Sequence, residues 1–582
     1  MIPHKYKFKA EYVATPHEWE RCYQILRQSR LESLLGLDLE TTGLDPHISQ
    51  IVTVQIATQD RVWVINPSKL FITPDVEVRF REQLQNVVTS NTLIGHNIAF
   101  DLRFLYTHYA ITAPHVFDTM VASQLILSGS NQSVSLKGVC EYFLDYEMDK
   151  TERLSFLDRN VYIENATYAA IDAAIMFPLY RILIKNLLRF NLMQAAEIEM
   201  AAVPAYADMA LRGIQLDKTA WLDILHINER DAVQMEKDLV KIIDSPKAVN
   251  LNSSKQMCEV LAKRGIVTKS VAAEVVADLA KQHPYDEVLK RMDAYKKKKK
   301  VISSYGQNFI DSVNPVTNRI HANFLQIAAV TGRSAARQPA LMTLPQGGGM
   351  RECFVAGSNR VFVISDYSQY ELRALAQITG DKNMIQVYHD KRDLHTETAR
   401  AIFHTETPTS HERFLAKKTV FGVAYSIGAP RLAEQIDVPE EEAARMLQVF
   451  FRTYPDIKKW QRRQRNYVAQ HGIIRSCSGR IINAVWDVQG DGHKSQQRAV
   501  NMPMQGTNAD TLKRVISRLH RELPKGCFLV NAIHDETLVE CPTNVAEEIQ
   551  EMVVDIMAEC AEYYIKAVPI QVDSKISPRW VK

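Results

Sequence analysis

The sequence has no long apolar run, no paired cysteine motif and no marked excess of charge of either sign. No stretch approaches the roughly 18 apolar residues of a membrane-spanning helix, and the N-terminal segment Met-Ile-Pro-His-Lys-Tyr-Lys-Phe-Lys lacks the apolar core of a signal peptide. The eight cysteines are scattered without a Cys-x-x-Cys pair, which argues against a zinc site or a disulfide framework and favours reduced thiols. These absences predict a cytoplasmic protein.

Length and composition indicate a soluble protein of several domains. The 582 residues are too many for one hydrophobic core. The hydrophobic content of 46% and the charged content of 24% are ordinary for globular proteins. Because the formal net charge is only +3, any surface that binds nucleic acid must be a local concentration of basic residues.

The hydrophobic pattern changes along the chain. Short β-rich runs alternate with helix-like runs between about residues 30 and 125, which predicts an α/β domain. A helical pattern covers about 165–245, without a Gly/Pro linker near residue 195, so a domain boundary there is soft. Later segments predict a strand and then a helix over 361–378, mostly helix over 410–470 and a hairpin over 526–541.

An alternation of apolar and acidic residues marks the first candidate site. In the run Leu-Asp-Leu-Glu, Asp38 and Glu40 share one face of a strand while the leucines pack behind. Such alternation is usually only a solvated face, but here it continues as the specific string Thr-Thr-Gly-Leu. Further carboxylates follow at Asp101 and Asp172, and Tyr168 lies one helical turn before Asp172 on the same face.

Two other aspartates follow short apolar runs late in the chain. Asp366 comes after Val-Phe-Val-Ile and Asp535 after Phe-Leu-Val, which predicts carboxylates at a strand end or in a hairpin turn. A single aspartate there is more often a turn former. Two that the fold brings together can hold two Mg²⁺ ions about 3.5–4 Å apart, which stabilise the attacking and leaving oxygens of a phosphoryl displacement.

A third pattern repeats every fourth residue at Arg413, Lys417, Phe421 and Tyr425. Each step of four drifts only about 40° around a helix, so the four side chains line one face. The usual interpretation is an amphipathic helix with snorkelling charges. A triphosphate would also suit the two cations, and a base or sugar the two rings.

The segments that carry these residues resemble a known enzyme family. Asp-Tyr-Ser-Gln-Tyr-Glu-Leu-Arg, from Asp366, and Ile-His-Asp-Glu, around Asp535, resemble motifs A and C of family A DNA polymerases, the class of bacterial DNA polymerase I. The stretch from Arg413 to Tyr425 resembles motif B. The resemblance implies a right-hand fold in which Asp366, Asp535 and the main-chain carbonyl of Tyr367 are metal ligands.

The same resemblance implies roles in nucleotide binding. Arg413 and Lys417 would bind the incoming triphosphate, and Phe421 would lie against its sugar. Glu371, helped by Tyr425, would act as a steric gate that excludes a ribose 2′-OH. The full set, which includes a phosphate contact at His395, is Gln369, Glu371, His395, Arg413, Lys417, Phe421 and Tyr425.

Residues that the resemblance assigns to DNA are spread over the second half of the chain. They are Asn252, Ser253, Lys255, Arg333, Asn501, Gln505 and His534. Phe414, Val420 and Ser426 stand where many members have Arg, Asn and Gly. Gln497 occupies a position at which the family commonly has Arg, with Arg498 beside it.

The first carboxylate set resembles the DEDDy group of 3′–5′ exonucleases. By that resemblance Asp38, Glu40, Asp101 and Asp172 hold two divalent metals, and Tyr168 positions or polarises the attacking water. All five positions match, so we expect an active proofreading site.

We therefore predict an α/β multidomain protein, with an RNase H-like exonuclease domain at 1–195 and a right-hand polymerase domain at 196–582. Within the latter we expect the thumb at about 196–325, the palm at about 326–385 and 481–582, and the fingers at about 386–480. The exonuclease motif lies too near the N-terminus for a preceding 5′-nuclease domain, which suggests by analogy a viral or plasmid replicase in the host cytoplasm.

The predicted reaction adds dNTPs to a primer 3′-OH on a DNA template, with two Mg²⁺ ions in each active site and Mn²⁺ as a possible substitute. Primer-template DNA, dNTPs and replication accessory proteins are the expected partners of a monomer that binds no membrane. Two other functions stay open, a nuclease with an appended DNA-binding module and a non-catalytic replication scaffold. Template-dependent incorporation of dNTPs distinguishes the three.

Overall fold

The computed structural model describes residues 8–28, 33–148, 163–243, 249–484 and 492–581, with the side chains of 163–168 and 492–496 outside that description. The chain divides into two compact units. The first comprises Met1–Gly213, Asn323–Arg337 and Asn359–Ser577. The second comprises Ile214–Ala322, Gln338–Ser358 and Pro578–Lys582.

The N-terminal part of the first unit is built on a mixed sheet. Its strands are β1 (Lys9–Val13), β2 (Leu34–Thr41), β3 (Ile51–Ala57), β4 (Arg61–Ile65), β5 (Thr92–Gly95) and β6 (Val116–Asp118). They lie in the order β1-β4-β3-β2-β5-β6, and β2 runs antiparallel to β3 and parallel to β5. Every residue of β3 is buried, as expected for a strand covered on both faces.

Helices cover this sheet and lead out of it. They are α1 (Pro16–Gln28), α2 (Pro67–Leu70), α3 (Pro74–Thr89), α4 (Ala99–Tyr109), α5 (Thr119–Ile126), α6 (Leu136–Leu144), α7 (Ile163–Ala174), α8 (Met176–Arg189) and α9 (Met193–Arg212). Buried Trp19, Trp63 and Phe80 help to fill the core between sheet and helices. The alternation of β-rich and helical runs predicted over 30–125 is present.

Helix α9 belongs to more than one apolar cluster. Ala195 packs with residues of α5, α6 and α8, whereas Val203 and Ala207 pack with the core of the mixed sheet. Ala202 and Tyr206 join the large C-terminal core. Residue 195, near which the sequence shows no linker, therefore lies inside one continuous helix.

The second unit is mainly helical. Its elements are β7 (Ile214–Leu216), α10 (Lys218–Ile243), α11 (Ser254–Lys263), α12 (Ala273–Gln282), α13 (Glu287–Tyr305), α14 (Gln307–Asp311), β8 (Arg319–Ile320) and β11 (Phe354–Val355). The strands form a small sheet in the order β11-β7-β8. The basic run Lys296–Lys300 lies on α13, in agreement with the helical pattern.

The first unit continues with a hairpin, β9 (Asn323–Leu325) and β10 (Ala335–Arg337). A four-stranded antiparallel sheet follows, from β12 (Arg360–Tyr367), β15 (Phe528–Ile533), β16 (Glu536–Pro542) and β17 (Val572–Ser577), in the order β15-β16-β12-β17. Its helices are α15 (Tyr370–Thr379), α22 (Gly492–Glu522) and α23 (Ala546–Glu562). The strand–helix pattern over 361–378 and the hairpin over 526–541 are confirmed.

Between α15 and α22 the chain is mostly helical, as predicted. The elements are α16 (Lys382–His389), α17 (Leu394–Phe403), α18 (Ser410–Ala424), α19 (Ala429–Ile436), α20 (Glu440–Thr453), α21 (Pro455–His471), β13 (Ile473–Arg475) and β14 (Ile481–Asn483). A capping box fixes the start of α18, because Thr409 and Glu412 exchange side-chain and backbone hydrogen bonds.

All eight cysteines are free thiols. None of the helices in the described part of the chain is long and apolar enough to cross a membrane.

Candidate active sites

Strand β2 carries the first two carboxylates of the N-terminal site. Leu37 and Leu39 are buried, while Asp38 and Glu40 are partly exposed on the other face, as the alternation predicts. Asp38 lies opposite Gln55 of β3. The strand therefore presents both carboxylates together from a rigid element.

Asp101, in the first turn of α4, is the third carboxylate and is buried at 4% exposure. Burial raises the pKa of Asp101 well above its ordinary value, and the charges of Asp118 and Glu40 raise it further. The backbone of Leu39 opposes this shift through a hydrogen bond. Asp101 thus lies beside β2, close enough to Glu40 for the two charges to interact.

Asp172 lies on α7, which packs closely on β2. A Cβ atom placed on Gly36 would overlap the carbonyl oxygen of Ala173, so only glycine permits this approach of strand and helix. The contact brings the Asp172 backbone next to the strand that carries Asp38. The side chain of Tyr168 lies outside the described residues.

Asp118 is a residue of this site that the sequence did not reveal. Its carboxylate accepts hydrogen bonds from the backbone N–H groups of Asn97 and Ile98, each at 3.0 Å, and from Met120 at 2.9 Å. Burial raises its pKa to about 6, against these hydrogen bonds. Asp118 ties the loop before α4 to the start of α5 and so supports the position of Asp101.

The second site forms where β12 meets the β15–β16 turn. Asp366 is next to last in β12, opposite Glu536 of β16, and the backbone N–H of Tyr367 donates to the carbonyl of Asp535 at 3.3 Å. His534 adopts a positive φ of 58° in the turn, which directs Asp535 back toward β12. The two aspartates are 169 positions apart in sequence and adjacent in the fold.

The two carboxyl groups interact directly. Burial raises the pKa of Asp535 to about 8, with further contributions from the charges of Asp366 and Glu371 and from a hydrogen bond between the Asp535 and Asp366 side chains. Arg333 lowers it. Neighbouring carboxyls of this kind share a proton unless a cation neutralises them, and carboxylate oxygens are the ligands that Mg²⁺ prefers.

Glu371 connects this pair to the neighbouring helices. Its carboxylate accepts hydrogen bonds from the guanidinium of Arg333 and, at 2.8 Å, from the hydroxyl of Tyr425. Burial, and then the charge of Glu371, raises the pKa of Tyr425 to about 12, so Tyr425 stays a hydrogen-bond donor at neutral pH. Gln369, the left-handed residue before α15, accepts from Tyr388 at 3.3 Å.

Helix α18 presents its cations as the spacing predicts. Arg413 is exposed and donates from Nε and a terminal nitrogen to Asp393, both at 3.1 Å. Asp393 also caps α17 through Thr396. Lys417, one turn further along α18, is exposed, so two cations face outward from the same helix.

His395 and Phe421 pack against each other next to these cations. Their ring centroids are 5.7 Å apart. Burial lowers the pKa of His395 to about 4, and Asp393 only partly opposes this shift. His395 is therefore neutral at pH 7, and its Nδ1 has no hydrogen-bond partner among the described residues.

A cavity of about 450 Å³ lies along the same face of α18. Lys417 and Phe421 line it from α18, Tyr425 lines it from the position just after that helix, and Gln497 and Asn501 line it from α22. Gln497 thus faces the cavity at a position where family A polymerases commonly have Arg.

The remaining predicted DNA contacts are divided between the two units. In the second unit, Asn252, Ser253 and Lys255 surround the start of α11, and the Ser253 hydroxyl caps that helix. In the first unit, Gln505 is partly buried on α22 and His534 is exposed in the β15–β16 turn.

The sites contain neighbouring carboxyls rather than a closed ligand cage. Among the residues that the structure describes, no group of three or more His, Cys, Asp or Glu side chains is arranged to hold a metal ion. The direct contacts are pairwise, as between Asp366 and Asp535. Neighbouring like charges repel each other, so a divalent cation would be needed to draw further carboxylates in.

Comparison with known protein families accounts for these two sites. Residues 225–582 match the family model described as DNA polymerase family A, which is more than half of the chain. The chain belongs to DNA polymerase family A. Residues 10–188 match the model of a 3′-5′ exonuclease, so an exonuclease domain precedes the polymerase domain. The resemblance to family A DNA polymerases, the resemblance to 3′–5′ exonucleases and the predicted mixed α/β class are therefore confirmed.

Several curated relatives of this polymerase are bacterial. DNA polymerase I of Borreliella burgdorferi is 28% identical over 94% of this chain and 62% of its own length. DNA polymerase I of Aquifex aeolicus is 30% identical over 95% and 97%. The thermostable DNA polymerase I of Thermus aquaticus is 30% identical over 66% and 48%. The chain thus spans about three fifths of the Borreliella protein and nearly all of the Aquifex one.

A solved structure has the same fold. The POL domain of Pol1 from M. smegmatis, in complex with DNA primer-template and dNTP, superposes with a TM-score of 0.85. The match covers 98% of this chain and 99% of that one at 20% sequence identity.

Proposed function

We propose that this polymerase extends a primer 3′-OH on a DNA template and removes nucleotides from the primer end at a separate exonuclease site. The observation that carries the polymerase assignment is the placement of Asp366 beside Asp535, where the backbone N–H of Tyr367 donates to the Asp535 carbonyl at 3.3 Å and the charges of Asp366 and Glu371 act on the Asp535 carboxyl. Helix α18 supplies cations for a triphosphate in the same unit.

In this reaction the primer 3′-oxygen attacks the α-phosphorus of a dNTP, a new P–O bond forms, and pyrophosphate leaves. This reaction requires positive charge near the reacting phosphate and near the leaving group. Arg413 and Lys417 would bind the leaving phosphates. His395, neutral and packed on Phe421, would donate one N–H to them.

Divalent cations fit the carboxylates of both sites. Asp366, Asp535 and the carbonyl of Tyr367 would hold two Mg²⁺ ions at the polymerase site, and Mn²⁺ would substitute. Asp38, Glu40, Asp101 and Asp172 would hold two at the exonuclease site. When bound, such ions supply electrostatic stabilisation to the oxygens of an in-line displacement.

The sugar and the base would lie along α18. Phe421 would contact the deoxyribose, and Tyr425 would lie beside the templating position. Gln369 lies at the start of α15, and Glu371, held by Arg333 and Tyr425, would occupy the space of a 2′-hydroxyl. This arrangement supports selection of dNTPs over rNTPs.

Primer-template DNA is the proposed partner, and the protein would act as a monomer with accessory replication proteins. Asn501, Gln505, His534 and Arg333 would contact the primer end. The start of α11, with Asn252, Ser253 and Lys255, would contact the duplex. We assign the thumb, palm and fingers to the ranges predicted from the sequence.

The test is a separation of the two activities. We expect purified protein with Mg²⁺ to extend a primer when dNTPs are present and to shorten it when they are absent. Asp366→Ala and Asp535→Ala should each abolish extension and retain digestion. Asp38→Ala combined with Glu40→Ala should do the reverse, and mismatched ends should then persist.

Three results would overturn parts of the proposal. Normal extension by Asp535→Ala would remove that residue from the metal site, and normal excision by the Asp38/Glu40 variant would remove the proofreading assignment. A wild type that digests but never extends would favour a nuclease with a DNA-binding module. We also propose that the enzyme is a viral or plasmid replicase, which locating its gene would test.

A further inference from the structure

A cluster of four charged side chains is buried beside the polymerase site, and the reaction does not use it directly. It contains two cations, Arg480 and Lys513, and two anions, Glu199 and Asp510. All four are at most 2% exposed. The cluster links α9, the loop between β13 and β14, and α22.

The contacts within the cluster are numerous. Arg480 donates from Nε to Asp510 at 3.0 Å and from a terminal nitrogen to both Asp510 and Glu199. Lys513 donates to Glu199. Gln326 donates to the Glu199 carbonyl at 2.7 Å and to its carboxylate at 2.5 Å.

Charge balance keeps the cluster ionised. Burial raises the pKa of Glu199, but Lys513 and Arg480 outweigh burial, and the net pKa lies below the ordinary value. Burial lowers the pKa of Lys513 to about 8, against the charge of Glu199. A buried ion network is weak evidence for stability, because apolar residues of similar volume often stabilise a fold as well or better.

The cluster touches one segment that leads to the active site. Lys513 donates to the carbonyl of Gly332 at 2.6 Å. Gly332 has a φ of 86°, and a Cβ there would lie 2.7 Å from Cζ of Arg480. The segment is thus held between the two buried cations in a conformation that favours glycine.

The next residue is Arg333, whose guanidinium binds Glu371. The carbonyl of Arg333 accepts hydrogen bonds from Ala328 and Ala329 at 3.0 and 3.1 Å. The backbone before and at Arg333 is therefore fixed, and a shift of Gly332 would move the guanidinium relative to Glu371.

We propose that Arg480 and Lys513 are positioning residues for the Arg333–Glu371 pair, and that through this pair they set the discrimination between deoxyribose and ribose. The inference rests on the proposed role of Glu371 as the steric gate. Neither cation touches the nucleotide. Their effect is transmitted through the backbone of Gly332.

The test compares substitutions that disturb the Gly332 segment in different ways. Lys513→Met removes the donor to Gly332, Lys513→Arg keeps a cation, and Gly332→Ala displaces the segment without removing any charge. The measurement is the ratio of kcat/KM for a dNTP to that for the matching rNTP. Exonuclease activity on single-stranded DNA, together with Tm, reports whether each variant is folded.

Arg360→Met is the matched control. Arg360 pairs with buried Glu540 at 2.9 Å in the same unit, but it lies at the start of β12, about 20 Å along the strand from Asp366. It should lower Tm and leave sugar discrimination unchanged. A purely structural role for Lys513 predicts the same result for Lys513→Met.

We expect Lys513→Met and Gly332→Ala to weaken discrimination against rNTPs by roughly three- to tenfold, the size expected when the net contribution of one typical hydrogen bond is lost. Lys513→Arg should recover part of this loss. If Lys513→Met does not fold, Gly332→Ala decides the question. Unchanged discrimination in the variants that fold, or an equal change in Arg360→Met, would overturn the proposal.

Glu371→Ala, in the same assay, separates this inference from the proposed function. If that variant changes discrimination and the Lys513 and Gly332 variants do not, only the positioning role fails. If Glu371→Ala has no effect, the steric gate itself is wrong, and the positioning proposal falls with it.

Discussion

Replacement of Glu371 by alanine should admit ribonucleotides. Glu371 is held by two donors, Arg333 and Tyr425, the latter at 2.8 Å, and its side chain is 14% exposed. A side chain fixed in this way cannot turn aside for a 2′-hydroxyl without breaking a charged hydrogen bond. Such a bond is worth about 1.5–3 kcal/mol.

The free-energy cost of breaking this hydrogen bond determines how much Glu371→Ala should change the preference for dNTPs over rNTPs. Because each 1.36 kcal/mol corresponds to about a factor of ten, Glu371→Ala should reduce the dNTP preference by roughly 10- to 100-fold. Incorporation of dNTPs should itself slow, since Arg333 and Tyr425 lose their common acceptor. The measurement is single-nucleotide incorporation, with kcat/KM determined for one dNTP and for its matching rNTP.

Glu371→Gln is the matched control, because it keeps the volume of the side chain and one acceptor oxygen. It should retain most of the discrimination. Equal discrimination in the wild type and Glu371→Ala would refute the steric argument. Equal losses in Glu371→Ala and Glu371→Gln would show that charge, rather than bulk, is what matters.

Three further predictions concern other parts of the two sites. Phe421→Tyr supplies a hydroxyl beside the nucleotide sugar and should improve use of dideoxynucleotides at least several-fold, as one hydrogen bond of about 1–3 kcal/mol implies; an unchanged ddNTP/dNTP ratio would contradict the placement of Phe421. Burial lowers the pKa of His395 to about 4 in the folded protein, whereas an unfolded histidine has a pKa near 6.5, so acidification across this window favours unfolding. The Tm of His395→Gln should therefore fall less steeply between about pH 6.5 and 4 than that of the wild type, and parallel curves would count against a neutral His395. Gly36→Ala forces β2 away from the Ala173 carbonyl and should impair exonuclease activity while primer extension is retained, which gel assays of both activities on one preparation would check.

Local patterns in the sequence predicted much of the fold and of the candidate sites. Three of these patterns are short-range: the alternation around Asp38 and Glu40, the apolar run before Asp366, and the repeat at every fourth residue along α18. Each element forms where its pattern predicts. The periodicity of apolar residues and the residue types found in turns determine such elements over a few residues. These elements can therefore be predicted without knowledge of the tertiary structure.

The buried ion cluster could not be predicted in this way. Glu199 lies 281 positions from Arg480 and 314 from Lys513. The sequence around each of these residues looks the same as the sequence around a charged residue on the solvent-exposed surface. The role of Asp118 could not be predicted from the sequence either, because an aspartate before a helix is ordinarily only a helix cap. Its contact with the loop before α4 depends on the pairing of β5 with β6.

The packing of helix α9 limits where the protein can be truncated. Its residues belong to three apolar clusters. A truncation at residue 196 would remove the residues that pack on one side of the remaining helix, and that side would then be exposed to water. Polymerase fragments cut there should aggregate more readily than the whole chain. Exonuclease-deficient enzyme is accordingly better made by point substitution. The shared helix also predicts that the exonuclease sheet and the polymerase sheet melt in one cooperative calorimetric transition, rather than as independent modules.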